Sequence, residues 1–389
     1  MSSRSFGILA FTLVVFSTLV VFSGIDLILP AIPDFPKIFS TNVAMSQMVI
    51  AAYTAGSAVG LLMFGVLGAK YDRCLLLSGS LFIFAICAFA CTLTTNIYVM
   101  IGLRVLQGIA SAASGVFAPS IVKAVFDETR AMRAIGLMGS IESIVPALAP
   151  LVGAWLLVHF GWTSSFDVTA GAAALVASVL FLLRHRLPMG AQDAPKGTYR
   201  AILRNRDFLR YALSQAFCLG GLVVFVFGAP VIFVNTMDGT LGNFIVMQMS
   251  GVAMFMVAAN LTGHIAPHFG VDRVIWFGTS LVTFEALLIL LYALMGGSNP
   301  STVAALMIPI NLGFGLRGPI SYFSAIQSAK GDDTRASALA ILVLLIAIAV
   351  GTAIAAPFLE QGLKGLAAIC LGIHMLGLAA LWVFRPAKA

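Results

Sequence analysis

The chain consists of long apolar stretches separated by short polar ones, and this pattern constrains its fold more than any other feature. A helix needs about 20 apolar residues to cross the hydrocarbon core of a bilayer. By this criterion the sequence predicts spans at residues 6–29, 44–67, 75–95, 98–122, 134–158, 164–184, 209–234, 241–265, 273–296, 302–327, 336–358 and 365–384. We therefore expect an all-α integral membrane protein with twelve transmembrane helices, in contact with the lipid bilayer.

The composition also indicates lipid as the main solvent. Of 389 residues, 60% are hydrophobic and only 10% are charged, whereas soluble domains carry about 25% charged residues. The mean hydropathy is +1.03. The net charge of +7 does not indicate nucleic acid as a partner, because the cations lie in the breaks between apolar stretches.

The distribution of Lys and Arg predicts the orientation. If the N-terminus is inside, the outer loops contain only Lys37 and Lys364 of the 22 Lys and Arg residues. Arg104 and Arg317 lie within spans, and all the others fall in inner loops or at the termini. Because inner loops of membrane proteins carry an excess of Lys and Arg, we expect both termini to be cytoplasmic.

The longest inner connection, residues 185–208, separates two bundles of six spans, residues 1–184 and 209–389. The loop from Gly65 to Arg73 after the second span resembles the loop from Gly263 to Arg273 after the eighth. This repeat predicts two pseudo-symmetric six-helix bundles, an arrangement common in secondary transporters. Residues 199–211 alternate Arg with apolar residues, which fits either a short interfacial helix or a solvated linker.

Five charged residues lie deep enough within the predicted spans to need an explanation: Asp26, Arg104, Glu142, Glu285 and Arg317. A charge at the bilayer centre costs roughly 2.5–3.5 kcal/mol even on lenient scales, so such residues usually have a function. At about 1.5 Å of rise per residue, Asp26 matches Arg104 in depth and Glu142 matches Arg317. Each pair is either functional or an ion pair that only locks helices together, and we assign no function to Glu285.

Prolines and polar side chains within the spans give further predictions. Pro146 and Pro150 are predicted to kink the fifth span. Polar side chains that could face a cavity are Tyr53, Gln107, Gln215, Asn260 and Asn311. The five cysteines show no metal-binding spacing, and HExxH and GxSxG motifs are missing, so we expect no metal, no cofactor and no enzymatic activity.

Three motifs resemble those of a known family. They are Asp26 followed by Leu29-Pro30-Ala31-Ile32-Pro33, the fourth-span run Arg104-Val-Leu-Gln107-Gly108, and the fifth-span run Pro146-Ala-Leu-Ala-Pro150-Leu-Val-Gly153. On these motifs and its whole length, the chain resembles the major facilitator superfamily, and within it the twelve-span drug:proton antiporters of the Bcr/CflA type.

The resemblance implies a function. It implies a monomeric transporter of the bacterial cytoplasmic (inner) membrane that exports small amphipathic compounds or drugs in exchange for protons, by alternating access between its two halves. Alternatives are a transporter of the same fold that exports an endogenous metabolite such as a siderophore, or one that imports a nutrient. A membrane enzyme or a channel is disfavoured by the motifs.

The resemblance also implies roles for individual residues. The residues of proton coupling would be Asp26 and Arg104. The residues of the substrate cavity would be Tyr53, Gln107, Glu142, Gln215, Asn311 and Arg317. The residues of gating and helix packing would be Gly65, Asp72, Arg73, Gly108, Pro146, Pro150 and Gly153.

The chain departs from the family pattern in the loop after the second span. The acid of the pattern is replaced by Ala69, its second glycine by Asp72, and its second basic residue by Cys74. In the family this loop latches the two halves on the cytoplasmic side. We therefore expect a weaker latch here, unless Asp72 supplies the acid from a shifted position.

Overall fold

A computed structural model describes residues 3–68, 70–126, 130, 134, 137–138, 141–142, 144–184, 199–329 and 333–384. All regular secondary structure in these ranges is helical. The α-helices are α1 Ser3–Asp26, α2 Phe35–Ile38, α3 Val43–Leu67, α4 Arg73–Leu93, α5 Ile97–Val125, α6 Val145–Phe160, α7 Ser164–Leu183, α8 Tyr199–Leu203, α9 Arg206–Asn235, α10 Leu241–Phe269, α11 Val271–Leu294, α12 Pro300–Gln327, α13 Asp333–Ala355 and α14 Leu363–Val383. Two 3₁₀ helices, Leu29–Asp34 and Ala356–Gln361, follow α1 and α13.

Twelve apolar helices account for the predicted spans. Within the described ranges, eleven segments are long and apolar enough to cross a membrane, and α6 is a shorter apolar helix. The prediction of an all-α membrane protein is therefore confirmed. Large apolar side chains such as Ile86, Val158 and Leu182 remain exposed on the helices, which is favourable only if their surroundings are lipid.

Side chains in the connections define where several helices begin. Asp72 accepts a hydrogen bond from the backbone N–H of Leu75 at the start of α4, and Asn96 and Asn205 cap α5 and α9 in the same way. Asn299 caps α12 and is followed by Pro300, a residue suited to the first turn because it has no N–H to satisfy. The polar connections thus fix the ends of apolar helices.

The contacts divide the chain into two units, Met1–Thr41 with Ala52–Ala194, and Asn42–Ala51 with Pro195–Ala389. In the first unit, α1 packs against α5, α6 and α7, and α4 packs against α5 and α7. In the second, α9 packs against α12, α13 and α14, and α11 packs against α12 and α14. Equivalent helix pairs recur in the same order, which gives each unit the same six-helix design. Gln47, at the start of α3, donates a hydrogen bond to the carbonyl oxygen of Phe227 within the second unit.

Near Pro146 the structure differs from the prediction for the fifth span. Much of 127–143 lies outside the described residues, and Ile144 is a turn residue that precedes α6. Pro146 therefore lies in the first turn of α6, where a missing N–H removes no helical hydrogen bond. Pro150 is inside the helix. The expectation that both prolines kink one continuous helix is thus wrong for Pro146, because the helix begins beside it.

The predicted connection between the bundles is described only from Tyr199 onward, and 185–198 lie outside the described residues. Tyr199–Leu203 form α8, and Ile202 is buried against the second unit. Arg206 begins α9, three residues before the predicted start of the seventh span. A short helix therefore exists at 199–203, as one of the two interpretations of this segment predicted.

Candidate functional site

The first unit buries a guanidinium where α1, α3 and α5 meet. Arg104 on α5 is 0% exposed. Its Nη1 donates to the carbonyl oxygen of Gly24, at 3.0 Å, and to Oε1 of Gln107, at 2.7 Å. The guanidinium also lies 4.3 Å from the ring centroid of Tyr53. A buried cation that makes charge-assisted hydrogen bonds and a cation–π contact is held in one place.

Tyr53 links this guanidinium to the first helix. It is buried on α3, and its hydroxyl donates a 2.6 Å hydrogen bond to the carbonyl oxygen of Val21. Asp26 and Arg104 both interact electrostatically with Tyr53. Tyr53 is therefore a residue on which both residues predicted for proton coupling act electrostatically.

Asp26 is the last residue of α1 and is only half-buried. The 3₁₀ helix that follows it contains Pro30 and Pro33, which prevent α1 from continuing in regular α geometry. The helix end lies two residues after Gly24, the residue that accepts from Arg104. Asp26 thus lies two residues along the chain from the backbone group that binds the Arg104 guanidinium, and it is only partly buried. Its direct pairing with Arg104 stays a prediction.

Glu142 lies within hydrogen-bonding reach of the side chain of Thr18, a buried residue of α1. Its Oε1 is buried with no hydrogen-bond partner among the described residues. Oε1 of Glu142 is therefore a hydrogen-bond acceptor in the first unit that has no partner among the described residues. Its predicted match with Arg317, which belongs to the second unit, stays a prediction.

The second unit buries a guanidinium at the junction of α9 and α12. Arg317 is 0% exposed. Its Nη1 donates to Oε1 of Gln215 at 3.0 Å, and its Nη2 donates to the hydroxyls of Ser214 and Ser321, each at 3.0 Å. Among the described residues, no carboxylate lies within 4.0 Å of this guanidinium. Within the part of the chain that the structure describes, Arg317 is thus a buried cation with neutral hydrogen-bond acceptors and no ion-pair partner.

A cavity of about 320 Å³ opens beside Arg317, inside the second unit. Gln215 of α9 lines it, together with Phe255 of α10 and with Phe314 and Tyr322 of α12. The rings of Phe255 and Phe314 are stacked, with centroids 5.5 Å apart and planes inclined by 20°. This size and a mostly apolar lining with few polar groups are typical of small-molecule sites.

Asn311, also predicted to line a cavity, makes a helix–helix contact. Its side chain donates to the carbonyl oxygen of Met307 at 2.9 Å and lies against Gly251 of α10. Asn260, in contrast, is exposed on α10 and donates to its own helix at Met256. Glu285 is half-exposed on α11.

The glycines predicted for helix packing are at close contacts between backbones. A Cβ added at Gly108 would overlap the carbonyl oxygen of Tyr53, and one at Gly153 would overlap the carbonyl oxygen of Leu27. Gly153 thereby lets α6 approach the end of α1 beside Asp26. Gly65, in contrast, is exposed, and an added Cβ would meet nothing within 4 Å.

The loop predicted to be a latch is ordered by local contacts. Asp72 caps α4, and Nε of Arg73 donates to the carbonyl oxygen of Gly68 at 3.1 Å. Ala69 lies outside the described residues. In the equivalent loop of the second unit, Asp272 forms a 2.8 Å ion pair with Arg210, which joins the starts of α11 and α9. The acids of the two repeats thus have different partners.

The Major Facilitator Superfamily profile matches residues 14–356. The chain belongs to the Major Facilitator Superfamily. It is a multi-pass membrane protein, and membership of this superfamily agrees with the equivalent helix pairs that recur in the two units.

Curated relatives agree with membership of this superfamily. The chain is 29% identical over 219 residues to the MFS-type transporter YdgK of Bacillus subtilis, covering 54% of each chain. It is 28% identical to multidrug resistance protein MdtL of Escherichia coli, over 60% of each chain, and of Klebsiella pneumoniae, over 62% of each. The match therefore spans less than two thirds of these relatives.

A solved structure shows the same fold. It is a bacterial homologue of the human lysosomal transporter Spinster, in an inward-facing and unoccupied conformation. The TM-score is 0.72 with 16% identity, over 99% of this chain and 96% of the other. At this identity the similarity concerns the fold alone.

Several residues around these groups were not anticipated from the sequence. Ser321 lies four residues after Arg317 on the same helix face, a spacing that could have indicated a contact. Ser214 and Thr18 carried no such signal, because each meets its partner from another helix. Phe255 and Phe314 likewise stack across two helices.

Proposed function

We propose that this superfamily member is a proton-coupled exporter of small amphipathic compounds or drugs, of the Bcr/CflA type. The observation that carries the proposal is Asp26 at the end of α1, two residues after Gly24, whose carbonyl oxygen accepts a hydrogen bond from the buried Arg104. A half-buried acid at such a helix end is suited to binding and releasing a proton as its surroundings change. Burial of Arg104 keeps the cation in place during that change.

The substrates proposed are drug-like. The Escherichia coli and Klebsiella relatives are named multidrug resistance proteins, which supports this choice and does not favour a siderophore or a nutrient. The cavity at Gln215 has the volume and apolar lining that such compounds need. Transport would proceed by alternating access of the two repeated halves.

The proposed location is the bacterial cytoplasmic membrane, with both termini on the cytoplasmic side and the chain acting as a monomer. The orientation is supported by the scarcity of Lys and Arg in the outer loops, where only Lys37 and Lys364 occur. The bacterial relatives support the membrane.

The test is proton movement in proteoliposomes that contain the purified protein and a pH-sensitive dye. Addition of ethidium, a cationic probe, or Nile red, a neutral one, should change the internal pH when the protein is present and not in protein-free vesicles. An imposed pH gradient should in turn drive accumulation of the probe. Accumulation that proceeds equally without any proton gradient would contradict the proposal.

Glu142 is proposed to interact with positive charge on a substrate. Glu142→Gln removes the charge and keeps the shape, so transport of ethidium should fall about tenfold, which corresponds to about 1.4 kcal/mol, while transport of Nile red is retained. The measurement is the initial rate of transport of each probe into proteoliposomes. Thr18→Val, which removes the neighbouring hydroxyl and no charge, is the matched control. Equal losses for both probes would show a structural role.

A further inference from the structure

We propose that the cavity of the second unit binds an aromatic group that carries a hydrogen-bond acceptor, and that it accepts neutral and anionic compounds in preference to cations. This inference rests on the proposed transport function and names the class of ligand for one of its sites. It concerns residues of the second unit alone, with Gln215, Phe255, Phe314 and Arg317 as the determinants.

The first step is the orientation of Gln215. A guanidinium has only donors, so the amide group that faces it must be the oxygen. The 3.0 Å hydrogen bond from Arg317 to Oε1 therefore turns the amide NH₂ away from the guanidinium. No hydrogen bond of this NH₂ occurs among the described residues. Because Gln215 lines the cavity and is half-buried, its NH₂ is available there as a donor.

The same orientation occurs in the first unit, in a buried position. Gln107 accepts from Arg104 through Oε1, and its Nε2 is buried without a hydrogen-bond partner among the described residues. Each unit thus holds one glutamine by its oxygen through a buried arginine. Only at Gln215 does the residue also line the described cavity.

The second step is electrostatic. The residues that line the cavity, all within the described part of the chain, include no Asp or Glu. The charged group in contact with the lining residue Gln215 is the guanidinium of Arg317, which has no carboxylate within 4.0 Å among the described residues. In a low-dielectric site an uncompensated cation repels a second cation and attracts an anion. The cavity is therefore unfavourable for ammonium groups and favourable for carboxylates and carbonyls.

The third step is the shape of the apolar wall. Phe314, Gly318 and Tyr322 are spaced four residues apart on α12, so they lie along one face of the helix. Phe255 stacks on Phe314 from α10. The Phe314 ring packs closely over Gly318, 3.1 Å from where a Cβ would be, so the absence of a side chain at Gly318 lets the ring lie there. A planar aromatic group can pack on this wall with its acceptor directed at Gln215.

The hydroxyl of Tyr322 already has a protein partner. It is 2.6 Å from the hydroxyl of Ser337 on α13, and either of the two hydroxyls can be the donor of this hydrogen bond. The NH₂ of Gln215, in contrast, has no hydrogen-bond partner among the described residues, and we take it as the group that a ligand acceptor meets.

The experiment measures binding of three naphthalene probes to the purified full-length protein by isothermal titration calorimetry. They are 2-acetylnaphthalene, a neutral acceptor; 2-naphthoate, an anionic acceptor; and 2-naphthylmethylammonium, a cation of similar size. The wild type should bind the two acceptors at least about tenfold more tightly than the cation. Equal affinities, tighter binding of the cation, or no binding of the acceptors would overturn the proposal.

Variants of Gln215 identify the donor. Gln215→Met keeps the volume and removes the NH₂, and Gln215→Glu replaces the donor by acceptors that Arg317 can still hold. Both should weaken the acceptor probes about tenfold. Gln215→Met should leave the cation within a few-fold, whereas Gln215→Glu places a carboxylate against Arg317 and should tighten binding of the cation. Asn260→Ala removes an exposed amide of α10 outside the cavity and should change none of the affinities. Unchanged acceptor binding in both Gln215 variants would overturn the assignment.

Phe255→Leu separates stacking from hydrogen bonding. It should weaken the two acceptor probes by a similar factor of several-fold, because both present the same ring to the wall. Proton movement measured on the same preparation keeps the two proposals distinct. A reversed probe preference with intact proton-coupled transport refutes only the ligand class. The expected preference without proton movement refutes only the coupling.

Discussion

Asp26→Asn should abolish proton-driven accumulation of ethidium in proteoliposomes while ethidium still binds. A carboxamide has nearly the shape of the carboxyl group but cannot gain or lose a proton, so the exchange of substrate for proton loses its carrier. Binding should stay within about tenfold, or about 1.4 kcal/mol, of the wild-type value. The measurements are accumulation against an imposed pH gradient and equilibrium binding to the purified protein.

The matched control for this variant is Asp34→Asn. Asp34 closes the 3₁₀ helix that follows α1, is exposed, and lies about two helical turns after Asp26. The same change of charge there should leave accumulation at the wild-type level. Uphill export by the Asp26 variant at the normal rate would show that the coupling acid is elsewhere, and Glu142 would then be the next candidate.

Gly108→Ala should destabilise the folded protein strongly for so small a change. The added Cβ would overlap the carbonyl oxygen of Tyr53 and lie 3.0 Å from the backbone nitrogen of Ser57. Both are backbone atoms of α3, which cannot move aside as a flexible side chain can. Overpacking of this kind costs about 1–3 kcal/mol, and separating α3 from α5 would also disturb the contact of Tyr53 with Arg104. The midpoint of thermal unfolding in detergent should fall by several degrees.

The same helix provides two controls. Gly102 and Gly115 are exposed on α5, and a Cβ added at either position meets nothing within 4 Å. Alanine at these positions should leave the unfolding midpoint unchanged or raise it, because glycine is about 0.8–1.0 kcal/mol less favourable than alanine inside a helix. If all three variants have the same unfolding midpoint, the close contact with α3 is not what requires glycine at position 108.

The contrast between Gly108 and Gly102 shows how far the sequence could lead. Both are glycines in one apolar helix, and the motif around Arg104 singled out Gly108. The sequence could not show which backbone atom of α3 would face it. That depends on how α3 and α5 are rotated about their axes, which is decided when the helices pack.

Arg104 and Arg317 lead to the same conclusion. Their positions inside apolar stretches were visible in the sequence, and charge at such depth indicated a function. The sequence did not show which groups these arginines bind. Arg104 donates to the backbone of α1 at Gly24, and Arg317 donates to Ser214 and Gln215 of α9. All of these acceptors are neutral. The predicted pairs of opposite charges at matched depth, Asp26 with Arg104 and Glu142 with Arg317, therefore stay predictions.

By itself, the sequence determined the membrane class, the helices and their order, because about 20 consecutive apolar residues can be satisfied only by a helix in lipid. It also determined which charged residues lie within the apolar stretches. The tertiary structure decided which residues meet: Arg104 with the Tyr53 ring, Arg317 with the side-chain oxygen of Gln215, and Phe255 with Phe314. The physical reason is that lipid-exposed and buried faces of a transmembrane helix are both apolar, so little in the pattern fixes its rotation. Only the packing of small residues and the bonds of buried polar groups between helices set that rotation.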